Sequence, residues 1–175
     1  MQVVIACSLH PIFYLMKNLI FLSFFVISIL ASCQKRDLAH SGDSIDDLAK
    51  RVLTAIESND IKKLDVLRIN RDEFKNYLWP EFPASKSNVP FDFAWDNLNG
   101  KTIKGMTRAV TDFGGQAFTL LDVSFEKGDE NYGTFRIYPS ALLHVVGSDG
   151  KERTLTFCGS VVEKDGEFKL LSYRD

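Results

Sequence analysis

The chain has 175 residues, 45% of them hydrophobic and 25% charged, with a formal net charge of −2. These are the proportions of a globular protein, and five Pro and eleven Gly are too few for a disordered or fibrous chain. With 21 basic residues against 23 acidic ones, no cationic excess is left to line a nucleic-acid groove, so no nucleic-acid partner is expected.

The first signal along the chain lies between Met16 and Cys33. Leu19 to Leu30 is an apolar run broken only by two serines and free of charge. It is shorter than the about 20 residues a helix needs to cross a bilayer, and it suits the core of a secretory signal. Lys17 supplies the positive flank, and small Ala31 and Ser32 follow the run. Residues 1–15 hold no Lys, Arg, Asp or Glu but carry Cys7 and Pro11, so Met16 reads as the better start and 1–15 as a mis-called extension.

The run Leu30-Ala31-Ser32-Cys33 resembles the lipobox of bacterial lipoproteins. The resemblance implies cleavage before Cys33, removal of residues 1–32, and a diacylglyceryl group on the Cys33 sulfur. Two or more acyl chains hold a protein stably at a bilayer where one does not. The mature chain is therefore expected to be tethered to the lipid bilayer through acylated Cys33, with no spanning helix. Gln34, where an aspartate would retain such a protein at the inner membrane, implies the outer membrane by resemblance to the enterobacterial sorting pattern, with the domain in the periplasm or at the cell surface. Cys7 then leaves with the leader and Cys33 is modified. Cys158 is left alone, which implies no disulfide and no cysteine-type metal site.

Residues 33–43 read as the lipidated cysteine and a polar tether, and 44–175 as one domain. Ile45, Leu48, Ala49, Val52, Leu53 and Ile56 form the stripe of an amphipathic helix, with Ser44 and Asp47 as a capping-box-like start. Asp60 caps a short helix bearing Ile61, Leu64 and Leu67. Asn70 with Glu73 repeats the capping logic until Trp79-Pro80 stops the run. After a loop with three prolines, Phe91, Ala94, Trp95 and Leu98 predict a helix closed by Asn99-Gly100. Ile103, Met106, Val110 and Phe113 continue at helical spacing to Gly114-Gly115.

From Ala117 the period changes to two. Strands are predicted over Ala117–Phe125, around Phe135 to Tyr138 with a bulge or end at Pro139, through Leu142, His144 and Val146, over Thr154–Val162, and over Glu167–Tyr173. Asp149-Gly150 and Asp165-Gly166 mark hairpin turns. Helices first and antiparallel strands afterwards make an α+β fold. This order of elements, with the closing Asp-Gly-Glu-Phe-Lys-Leu-Leu strand, resembles the nuclear transport factor 2-like superfamily. The resemblance implies a cone-like fold in which a curved antiparallel sheet packs around N-terminal helices and encloses a pocket.

Candidate site residues follow from that expectation. Asp122 interrupts an apolar strand and His144 sits among Leu142, Leu143, Val145 and Val146, so an acid beside an imidazole would transfer protons. The plainer reading puts both on a solvated sheet face. Arg136 and Tyr138 share one face of their strand, and with Trp95 they are ligand-pocket candidates. Trp79, Phe82, Phe91, Phe93 and Trp95 either line a ligand mouth or partner surface, or form core beneath the proline-rich loop. Cys158 reads as a buried, inert thiol. No Gly-x-Ser-x-Gly elbow, phosphate loop or dinucleotide fingerprint is present, so neither a cofactor nor a metal is expected.

Two functions remain as expectations. The first is a non-catalytic envelope lipoprotein that binds a small apolar ligand or an envelope protein. The alternative is a pocket enzyme of the isomerase or dehydratase kind that uses Asp122 and His144.

Overall fold

The three helices before Phe74 start where a polar side chain answers the amides that a helix leaves unpaired. The computed structural model describes residues 37–175. The Ser44 hydroxyl accepts from the Asp47 amide at 3.1 Å and opens α1 (Ile45–Glu57), which buries Leu48, Ala49, Val52, Leu53 and Ile56. The Asp60 carboxylate accepts from the Lys62 and Lys63 amides at the head of α2 (Ile61–Val66). A capping box opens α3 (Arg71–Glu73): Asn70 accepts from the Glu73 amide and Glu73 from the Asn70 amide, both at 2.9 Å.

The chain does not leave its helical path at Trp79-Pro80. It widens to a π turn over Phe74–Leu78, then tightens to 3-10 turns at Trp79–Glu81 and Pro83–Ser87. Proline is tolerated there because it stands at the start of a turn, where its missing N–H has no partner to lose. Nor does Asn99-Gly100 close a helix. Phe91–Phe113 is one helix, α4. A mid-helix glycine costs only about 0.5–1 kcal/mol, and burial of Trp95 before it and of Met106 and Ala109 beyond it outweighs that. Gly105 is required on the same helix: a Cβ there would stand 2.6 Å from the Arg174 carbonyl oxygen.

The strands form two antiparallel sheets that do not close into a barrel. The first pairs β1 (Phe118–Phe125), β4 (Ala141–Gly147) and β5 (Glu152–Leu155) in the order β1-β4-β5. The second runs β2-β3-β6-β7 through Glu130–Asn131, Arg136–Tyr138, Val161–Lys164 and Glu167–Leu170. The single strand expected over Thr154–Val162 is therefore two, in different sheets. The chain breaks between them because its backbone pairs with the C-terminus instead. Gly159 N donates to Ser172 O at 2.9 Å and Arg174 N to Phe157 O at 2.8 Å.

A β-bulge decides which side chains of β1 face inward. Register shifts between Leu120 and Asp122, leaving Leu121 as the extra residue, 54% exposed. Before it Phe118 and Leu120 pack on the core; after it Val123 and Phe125 do. One inserted residue inverts the side-chain phase of everything beyond it. Asp122 and Ser124 are thereby turned away from the core.

The second sheet separates two apolar clusters. Val161, Leu170 and Tyr173 join α1 in the first, while Val162 and Ile137 join Phe74, Leu78 and Trp95 in the second. The segment expected to be a tether up to residue 43 belongs, from Asp37 on, to the domain. Leu38 is buried, and Gly42 and Phe168 exchange two backbone hydrogen bonds of 2.8 and 2.9 Å along the β7 edge.

The Glu73–Lys169 pair ties these parts together, both residues being buried and Lys169 Nζ lying 2.8 Å from each carboxylate oxygen. Burial pulls the Lys169 ammonium below its ordinary value, against the opposing pull of Glu73. Lys169→Met leaves a buried carboxylate without its counter-charge and is expected to cost about 3–5 kcal/mol in urea unfolding. Glu73→Leu combined with Lys169→Met should stay within about 2 kcal/mol of wild type; an equal loss in both proteins would contradict a buried charge effect. Deleting Leu121 should abolish cooperative thermal unfolding, while Leu121→Ser should change stability by less than about 0.5 kcal/mol.

Candidate functional site

The bulge and the β4 register bring the two expected acid–base residues onto one sheet face. Asp122 and His144 are direct cross-strand partners, and Thr154 is the partner of His144 on its other side. His144 Nε2 shares a 2.8 Å hydrogen bond with the Ser124 hydroxyl, and Nδ1 one of 3.1 Å with the Thr154 hydroxyl. The imidazole is thus held between two hydroxyls across three strands. Asp122 is exposed and makes no hydrogen bond or ion pair among the described residues. A cavity of about 220 Å³ beside the imidazole is lined by Leu121, His144, Glu152, Arg153 and Thr154, and does not include Asp122. This face can fix the orientation of the ring, but it does not enclose an acid and a base together.

Ser124 and Thr154 were not singled out from the sequence. Alternation placed Ser124 beside Asp122, yet which residue faces which across strands depends on register, and the register here depends on the bulge.

The pocket candidates lie apart. Trp95 is buried in the second cluster, 5.7 Å from Phe74 between ring centres. Trp79, Phe82 and Phe91, like Trp95, pack around the Phe74 ring, so most of the aromatic group is core beneath the proline-rich loop. Phe93 is the exception, at 67% exposure. Arg136 is exposed and donates to Asp129 at 3.2 Å. Tyr138 donates to Glu163 at 2.8 Å, a bond that raises its phenol pKa, and its ring rests 5.1 Å from Phe125. Trp95, Arg136 and Tyr138 line neither the cavity beside His144, nor the void between α1 and the sheets, nor the groove at Asp37.

Between α1 and the sheets, where a cone would hold a ligand, the interior is filled. The void lined by Leu48, Val52, Val123, Leu143, Cys158 and Leu170 amounts to about 10 Å³. That is at the threshold for a single water molecule. The larger concavity is an open groove of about 420 Å³, lined by Asp37, Ala39, Asn70, Arg71, Asp72, Glu73, Asn76 and Tyr77. Among the described residues no group of three or more His, Cys, Asp or Glu is placed to hold a metal ion, and no helix is long and apolar enough to cross a membrane. The expected lipidation site, Cys33, lies outside the described residues.

Comparison with protein-family models, with curated proteins and with solved structures returns no match.

Cys158 is buried, and burial pushes its thiol up to about 12. A thiol so rarely ionised is a poor nucleophile. The folded Cys7→Ser/Cys33→Ser protein, in which Cys158 is the one thiol left, should leave a disulfide reagent such as DTNB unreacted at pH 8, and release one equivalent of chromophore only in concentrated guanidinium chloride. Prompt reaction of the folded protein would show the thiol to be open to solvent.

Proposed function

We propose that this chain is a bacterial envelope lipoprotein, acylated at Cys33, whose α+β domain acts by binding and not by catalysis. The observation that carries the reading is a coincidence of position. Leu30-Ala31-Ser32-Cys33 follows an apolar core of signal-peptide length, and the compact unit begins at Asp37, four residues after that cysteine. A lipid-modified first residue followed almost at once by a folded domain is the layout that processing at Cys33 would leave. Gln34 supports the outer membrane as the destination.

Helices followed by antiparallel strands also support reading the domain as an opened relative of the nuclear transport factor 2-like cone. Its two separate sheets and filled interior depart from that pattern. The departure bears on function: the void between α1 and the sheets, about 10 Å³, is too small for an apolar ligand, so binding is proposed at the surface and to a macromolecular partner. The proton-transfer alternative draws little support from an exposed Asp122 that has no hydrogen bond or ion pair among the described residues and lies outside the cavity beside His144.

Metabolic labelling with a clickable fatty acid tests the anchor. Wild type is expected to be labelled, to partition into the detergent phase and to lose residues 1–32, whereas Cys33→Ala should remain unlabelled. Equal labelling of both proteins, or none of either, removes the basis of this reading.

A further inference from the structure

The open groove is lined by Asp37 and so marks the end of the domain at which the compact unit begins. We infer that this end, the surface formed by Asp37, Arg71, Lys75, Asn76 and Tyr77, rests on the phospholipid headgroups of the membrane that holds Cys33. The inference rests on the acylation proposed above and adds an orientation to it.

Chain length is the first argument. Cys33 precedes Asp37 by four residues, which span at most about 14 Å when fully extended. A compact unit the size of Asp37–Asp175 is roughly 35–40 Å across. The leash is shorter than half the domain, so the domain cannot turn over, and the surface around Asp37 stays close to the bilayer.

Nor can that surface swing away on a loose end. Asp37 is ion-paired to Lys164 at 2.9 Å, Leu38 N donates to Glu167 at 3.0 Å, and Ala39 N donates to Glu73 at 2.7 Å. The attachment point is therefore stitched to β6, β7 and α3.

The chemistry of the surface is the second argument. Cations stand over aromatic rings here: Arg71 at 5.1 Å and Lys75 at 5.6 Å from the Phe91 ring, and Lys164 at 5.8 Å from Tyr77. Aromatic rings paired with long basic side chains are what protein surfaces use at the headgroup level, where ring and methylene stem meet the apolar edge and the charge stays in the polar layer. Lys35 and Arg36 add two positive charges immediately before Asp37. Arg71, which is also ion-paired to Asp92, and Asp72, which has no ion pair among the described residues, both line the groove. A wall of mixed sign suits phosphoethanolamine, whose phosphate meets the guanidinium and whose ammonium meets the carboxylate.

Depth measurement by spin label tests the orientation. With the Cys33 sulfur acylated and Cys158 buried, Asn76→Cys places one reactive thiol at the groove and Lys151→Cys one in the β4–β5 turn of the other sheet. Each intact lipoprotein, labelled with a nitroxide, is reconstituted in phosphatidylethanolamine–phosphatidylglycerol vesicles, and the N-terminal peptide is weighed by mass spectrometry. The label at position 76 is expected to be several-fold less accessible to a water-soluble nickel complex than the label at 151. Equal accessibility with a diacylated Cys33 overturns the orientation and leaves the anchor standing. Spin–spin broadening between labels at position 76 would assign the surface to a second copy of the chain and also overturn it. An unmodified Cys33 in the mass spectrum overturns the anchor, and the orientation with it.

Discussion

The carboxylate of Glu73 is the point on which three separate stretches of chain converge. It accepts from the Asn70 amide at 2.9 Å and the Ala39 amide at 2.7 Å, and from Lys169 Nζ through both oxygens at 2.8 Å. Burying one carboxylate and one ammonium costs several kcal/mol per ion, and Coulomb attraction repays that only when the remaining hydrogen-bonding positions are filled. Here the carboxylate is filled by the head of α3, by the entering N-terminal segment and by β7. The pair is therefore better read as a device for fixing arrangement than as a reserve of stability: only one placement of these three segments leaves the charge satisfied.

That constraint shapes both faces of the second sheet. Lys169 and Val162 are paired across strands, and they face the cluster built on Phe74, Leu78 and Trp95. Leu170 and Val161 face the cluster built on α1. The sheet is consequently a partition with apolar packing on either side. The outer edge of β7 is covered by Gly42 on one stretch and by Arg68 on another, so it offers no free strand for aggregation. The first sheet has one face on the core and one toward solvent, and the solvent face carries the Ser124, His144 and Thr154 ladder.

The N-terminal segment gives this architecture a mechanical consequence. In a lipoprotein with a long flexible leash, the domain samples every orientation and the membrane is only an address. Here Leu38 is buried and the amides of Leu38, Ala39 and Gly42 are all engaged by the domain, so any pull on the chain before Asp37 enters the fold at β7 and α3. The same bonds explain why a stretch of polar residues, Asp37 to Asp43, is not solvated chain: its backbone donors find partners that lie more than a hundred residues away, such as Glu167 for Leu38.

Much of the local structure was legible. The α1 stripe from Leu48 to Ile56, the caps at Ser44, Asp60 and Asn70, and the turns at Asp149-Gly150 and Asp165-Gly166 follow from side chains acting on backbone within a few residues. The α+β class followed from the change of period near Ala117. The burial of Cys158 was also readable, because a thiol between Phe157 and Gly159 on an apolar strand has nothing to keep it at the surface. What failed were readings that treated a residue's local preference as decisive. Asn99-Gly100 does not end α4, and Thr154–Val162 is not one strand, because distant packing and the C-terminal backbone override them. The site suffered most. The proximity of Asp122 to His144, the hydroxyls that hold the imidazole, and the meeting of Glu73 with Lys169 depend on a bulge and on register. Neither is written in any single segment, since an apolar strand such as Phe118–Phe125 can present either face until its partner chooses one. The sequence by itself determined the helical caps and the class of fold, both short-range properties. Tertiary structure alone decided which polar groups meet, because pairing across strands and burial of charge are settled by residues far apart along the chain.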